Sequence, residues 1–133
     1  MGKLIIYASI AALLVAGAAQ SQQPPPAQPA GIKRTILQRV EIPGTSYETV
    51  LGVAELSAGV SAGRHTHPGP ETGTVTEGEM ILTIDGQPDK TLKAGESYQI
   101  PTGVVHDVRT ASGMKVVAAY MIPKGAPLAT PAK

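Results

Sequence analysis

The chain has no cysteine, no phenylalanine and no tryptophan. Without cysteine there are no disulfides and no lipid-attachment thiol, so stability has to come from a packed core or from a bound ion. Tyr47, Tyr98 and Tyr120 are the only aromatic side chains beyond the first few residues. That scarcity largely removes base-stacking surfaces and aromatic cages as modes of recognition. Charge is equally uninformative about a partner: eleven Lys and Arg face ten Asp and Glu, with no run of either sign. Electrostatic binding to nucleic acid or to an anionic membrane is therefore not expected. A long amphipathic helical pattern is also missing.

What remains, over 133 residues, is enough for one small single-core domain and not for two. Lys3, the apolar stretch Leu4 to Val15 and the small residues Ala16-Gly17-Ala18 read as an export signal over residues 1–18. That stretch is shorter than the roughly 20 residues a membrane-spanning helix needs, so cleavage is expected and no stable membrane anchor. The leader has no twin arginine, which points to export by the general route, to the periplasm or outside the cell. Residues 19–32, with Pro24-Pro25-Pro26, read as a proline-rich flexible spacer, 33–126 as the folded domain and 127–133 as a flexible C-terminal tail.

Short β-rich runs then alternate with turn residues. Strands are predicted at Thr35 to Val40, Thr49 to Leu56, Gly63 to His67, Thr72 to Thr76, Glu79 to Ile84, Lys90 to Leu92, Ser97 to Ile100, His106 to Arg109 and Met114 to Met121. Pro43-Gly44, Glu77-Gly78, Asp85-Gly86, Ala94-Gly95, Pro101-Thr102-Gly103 and Ser112-Gly113 read as the turns between them. The spacing predicts an all-β sandwich or barrel. The run Glu79 to Ile84 is partly apolar on both faces, which suits a strand covered on both sides and leaves a homodimer open.

The chemistry is concentrated in two blocks. Gly59, His65, His67, Glu71 and Gly78 form the first, and Gly95, Pro101, Gly103 and His106 the second; together they hold all three histidines of the chain. Histidines at i and i+2 of a strand share a face, roughly 6 to 7 Å apart, and so can bind one ion. Pro68-Gly69-Pro70 rules out a continuous helix to Glu71, so a turn has to bring that carboxylate back.

These blocks resemble the two motifs of the cupin superfamily, in which the first supplies two His and a Glu and the second a third His. The likeness runs from about Val50 to Ile122; Thr110, where the second motif usually ends in Asn, departs from it. It implies a single-domain double-stranded β-helix, the jelly-roll or cupin barrel, and a metal site formed by His65, His67, Glu71 and His106, with Glu71 also a candidate base. Three neutral imidazoles and a carboxylate suit one divalent transition metal, whether Mn, Fe, Ni, Cu, Co or Zn. Arg64 and Arg109 flank ligand histidines but read as solvated, and Tyr98 reads as core.

The resulting expectation is an exported metal-binding protein acting on a small-molecule substrate or ligand. An oxidase- or oxygenase-like enzyme and a non-catalytic binding module both fit. Thr74 and Thr76, taken as small polar residues near the site, favour a small polar substrate over an aromatic one.

Overall fold

The computed structural model describes residues 29–133. The expected export signal and most of the proline-rich spacer lie outside the described residues. Nine strands and no helix make up the described part: β1 (Ile32–Glu41), β2 (Tyr47–Leu56), β3 (His65–Thr66), β4 (Glu71–Ile84), β5 (Lys90–Lys93), β6 (Ser97–Ile100), β7 (His106–Arg109), β8 (Met114–Pro123) and β9 (Thr130–Pro131). All pairings are antiparallel. The order β1-β2-β8-β4-β7-β3-β9 wraps the sheet into two facing halves, with β5 and β6 paired to β4.

One strand joins the halves. β4 pairs β6 and β8 through its first part and β5 and β7 through its second. The expected turn at Glu77-Gly78 is instead a bulge, a register shift between Val75 and Glu77 within a continuous strand. A bulge inserts one residue and so reverses which face later side chains take. Glu71, Gly73 and Val75 are buried before it, and Met80 and Leu82 after it, so odd positions give way to even ones on the inner side. Gly78 makes the passage possible: its φ is +73°, and a Cβ there would lie 2.1 Å from the Gly113 carbonyl oxygen.

The inner face of the first half reads in rows across β2, β8 and β4. Val50, Tyr120 and Glu71 form one row; Gly52, Ala118 and Gly73 the next; Ala54, Val116 and Val75 the third; Leu56, Met114 and Gly78 the last. The last two rows pack with Met80, Leu82 and Leu92 into the hydrophobic core. At about 25 cal/mol per Å² of buried apolar surface, this cluster is the main source of stability. The row holding Glu71 opens at the other end.

Two boundaries differ from expectation. β1 already begins at Ile32, and the segment 127–133, expected to be a flexible tail, contributes β9. There His65 faces Pro131, Thr66 faces Thr130, and the Ala132 N–H donates to the Arg64 carbonyl at 2.9 Å. Backbone hydrogen bonding to β3 accounts for a strand that the proline-containing sequence does not announce.

Candidate metal centre

Three segments converge to build the site. β3 carries His65, and His67 follows it directly; β7 opens with His106, which is the cross-strand partner of His65; β4 opens with Glu71. The turn through Pro68-Gly69-Pro70 returns the chain so that Glu71 faces the imidazoles, as the sequence requires. Ligand atoms of His65, His67 and His106 lie within 4.8 Å of one another. Glu71 Oε2 stands 2.9 Å from His67 Nε2 and 3.6 Å from His106 Nε2. All four predicted site residues are thus brought together. His67, Glu71 and His106 are buried, while His65 is half-buried at the mouth.

Ring orientation follows from the hydrogen bonds at Nδ1. His65 Nδ1 meets the Gly63 carbonyl at 2.7 Å, His106 Nδ1 the Val104 carbonyl at 3.0 Å, and His67 Nδ1 the Leu128 carbonyl at 2.6 Å. A carbonyl oxygen only accepts, so Nδ1 carries the proton in each ring, and in the neutral form Nε2 keeps its lone pair. The lone-pair side of His67 therefore looks directly at a carboxylate oxygen. Two acceptors at 2.9 Å repel unless a proton or a cation sits with them. His106 Nε2 is buried without any hydrogen-bond partner. An orphaned imidazole nitrogen beside a carboxylate and two further imidazoles is a donor set that fits a transition metal ion.

Electrostatics agree with the need for a positive charge. Burial works to raise the Glu71 pKa, but the adjacent His106 and His67 imidazoles and the Tyr98 hydroxyl outweigh it and hold the carboxyl well below the ordinary carboxylate range. Burial works to lower that of His106, and the nearby Glu71 carboxylate overrides it, so the His106 pKa is raised. His65 has no such partner at hand: burial lowers its pKa to about 4, which keeps it neutral and available as a ligand near pH 7.

Two tyrosines hold the carboxylate, and sequence reading missed both. Tyr98 and Tyr120 donate to Glu71 Oε1 at 2.7 and 3.1 Å, leaving Oε2 for the imidazoles. Burial, reinforced by the Glu71 charge, raises both phenol pKa values, so each remains a donor. Gly73 explains how Tyr98 gets there. A Cβ on Gly73 would lie 2.5 Å from the Tyr98 ring, so the ring occupies the space a side chain would take. The available signal was parity: Tyr98 alternates with buried Ile100 on one face of β6.

Thr74 and Thr76 do not line the site. They lie on the face of β4 opposite Glu71 and Gly73, where Thr74 Oγ1 is 2.9 Å from Ser97 Oγ and Thr76 donates to the Lys115 carbonyl at 3.2 Å. They therefore lend no support to a small polar substrate, because residues an odd number of positions apart in a strand point oppositely. Arg64 and Arg109 are paired outside the cluster, with Asp85 and Asp89 respectively. A surface cleft of about 680 Å³ opens at the other end of the barrel beside Ile32, Leu56 and Met114, and no histidine lines it.

The Cupin domain family model matches residues 52–123. Over 59 residues the chain is 48% identical to the HTH-type transcriptional regulator PuuR of Escherichia coli (strain K12), which is 43% of this chain and 31% of that protein. The chain thus spans about a third of the curated relative it matches. Among solved structures, an RmlC-like cupin from Shewanella frigidimarina shares 25% identity at a TM-score of 0.59, covering 71% of this chain and 79% of that one. An oxalate oxidase in complex with the substrate analogue glycolate shares 26% identity at a TM-score of 0.57, covering 69% and 51%. These likenesses make the curled antiparallel sheet the expected double-stranded β-helix jelly roll.

Proposed function

The chain belongs to the cupin family, and on that premise we propose that His65, His67, His106 and Glu71 hold a divalent transition metal serving an oxidase- or oxygenase-like reaction on a small polar substrate. The observation that carries the reading is the buried, unpartnered His106 Nε2 beside the Glu71 carboxylate. Held by these residues, a metal ion would supply Lewis-acid chemistry to a chelating substrate. The protein's own share is positional. Tyr98 and Tyr120 fix Glu71, Nδ1 hydrogen bonds fix the rings, and burial keeps bulk water from three of the four donors.

Substrate class rests on chemistry around the donors. The site contains two tyrosines and no other aromatic apart from the histidines, which disfavours aromatic substrates. The 26%-identical relative is an oxalate oxidase seen with glycolate, so small carboxylates are the compounds to try first. Export, with metal loading outside the cytoplasm, belongs to the same proposal and rests on Lys3, the apolar stretch and Ala16-Gly17-Ala18.

A second reading, a binding module without chemistry, is favoured by the local match to a transcriptional regulator. No helix occurs among the described residues, so nothing described here corresponds to a helix-turn-helix unit. One experiment separates the two readings: metal analysis of the purified chain with oxygen-uptake assays on oxalate, glycolate and related acids. Stoichiometric metal with turnover supports the enzyme. Full metal occupancy with no turnover of any small acid favours the binding module, and metal that stays bound in the combined His65→Ala, His67→Ala, His106→Ala variant overturns the site.

A further inference from the structure

We propose that the C-terminal segment Leu128 to Lys133 is a working part of the histidine cluster, because its Leu128 carbonyl selects the His67 tautomer that leaves Nε2 free for a metal. The inference rests on the metal reading for its consequence, not for its geometry. His65 and His106 take their Nδ1 acceptors from carbonyls two residues earlier, whereas the acceptor of His67 lies 61 residues away. Each of the first two rings is oriented by its own turn. His67 is oriented by the bend at Leu128 that leads into β9.

Backbone and ring of His67 are secured separately. The Gly103 N–H donates to the His67 carbonyl at 3.0 Å, so the main chain stays in place without the C-terminal segment. The ring depends on Leu128. If that carbonyl is removed, the better hydrogen bond available to the imidazole is the one in which Nε2–H donates to Glu71 Oε2, 2.9 Å away. That tautomer consumes the coordinating nitrogen. Acceptors that fix a ligand histidine's tautomer are typically worth about 10 to 100-fold in metal affinity.

The segment is anchored well enough for this role. β9 pairs β3 at His65 and Thr66, the Ala132 N–H reaches the Arg64 carbonyl at 2.9 Å, and Arg64 Nε donates to the Lys133 carbonyl at 3.2 Å. Arg64 is itself held by two hydrogen bonds to Asp85, at 2.8 and 2.7 Å. β3 is only two residues long and lies between β7 and β9.

The test compares the purified full chain with a chain ending at Ala126 and with Ala132→Pro, which removes one N–H but keeps the Leu128 carbonyl. Histidine-ring nitrogen shifts in the metal-free protein report the tautomers, and Co²⁺ titration reports affinity. In the truncated chain His67 should switch from Nδ1–H to Nε2–H while His65 and His106 keep theirs, and Co²⁺ affinity should fall about 10 to 100-fold. Ala132→Pro should show a smaller loss in the same direction. A lower melting temperature with the His67 tautomer retained and affinity within about twofold overturns the proposal, as does an unchanged Ala132→Pro if the truncated chain does not fold. A full chain that binds no Co²⁺ sinks the metal reading alone, since the ring shifts still decide the role of Leu128.

Discussion

The two ends of this barrel are built on opposite rules. Around Val75, Met80 and Leu92 the interior is apolar and closed, with exposures of 0 to 1%. Around Glu71 it is polar, and each buried group depends on one named partner. An apolar core tolerates small errors because contacts are many and weak. A buried carboxylate among imidazoles does not, because losing one partner leaves a charge in low dielectric. Stability should therefore reside chiefly in the first region and metal chemistry in the second, with β4 running through both.

Four perturbations test that division. Met80→Ala should have the largest effect on stability, about 2 to 5 kcal/mol in urea unfolding. Its Co²⁺ affinity in the folded state should be unchanged, and a variant that folds yet binds poorly would break the comparison. Chelator treatment of the loaded protein comes next. Where free metal had stood one hundred times above the dissociation constant, stripping it should remove about 2.7 kcal/mol, read as a lower melting temperature.

Tyr98→Phe deletes one hydrogen bond to the buried Glu71 carboxylate, worth about 1.5 to 3 kcal/mol. It should weaken metal binding as well, which sets it apart from Met80→Ala. Acidification sharpens the contrast further. Glu71 has a folded pKa below its unfolded 4.5, so its contribution is full above that pH and lost as pH falls further. His65 is lowered from 6.5 to about 4, so its contribution is lost on going down through that interval. His106, shifted upward, changes its contribution only above 6.5. Metal-free protein should thus lose stability from about pH 6.5 downward. Glu71→Gln should flatten the part below 4.5, whereas Met80→Ala should shift the whole curve without reshaping it.

The all-β class was legible from strand parity and from turn glycines and prolines, and the jelly roll and the four convergent residues from the resemblance to cupins that two short blocks carry. What was not legible depends on pairs distant in the chain. Tyr98 reads as core until Gly73, its cross-strand neighbour, is seen to leave space for its ring over Glu71. Glu77-Gly78 reads as a turn because the same dipeptide serves a bulge equally well, and only the Met114 strand alongside distinguishes the two. Thr74 was different, since counting from Glu71 already places it on the outer face. The smallest expected effect follows from that position: Thr74→Val should change stability by no more than about 0.5 kcal/mol and leave metal affinity untouched. A loss of affinity there would mean that the outer face communicates with the site.

The hydrogen bond from His67 to Leu128 also sets an order of events during synthesis. His65, His67, Glu71 and His106 all emerge before the acceptor that orients His67, which trails that histidine by 61 residues. At ~5 to 20 residues per second, the interval between them is roughly 3 to 12 s. For that time the nascent chain carries its coordinating side chains without their final geometry. A correctly arranged site is thus a late product of biogenesis, completed only after Leu128 has joined the fold.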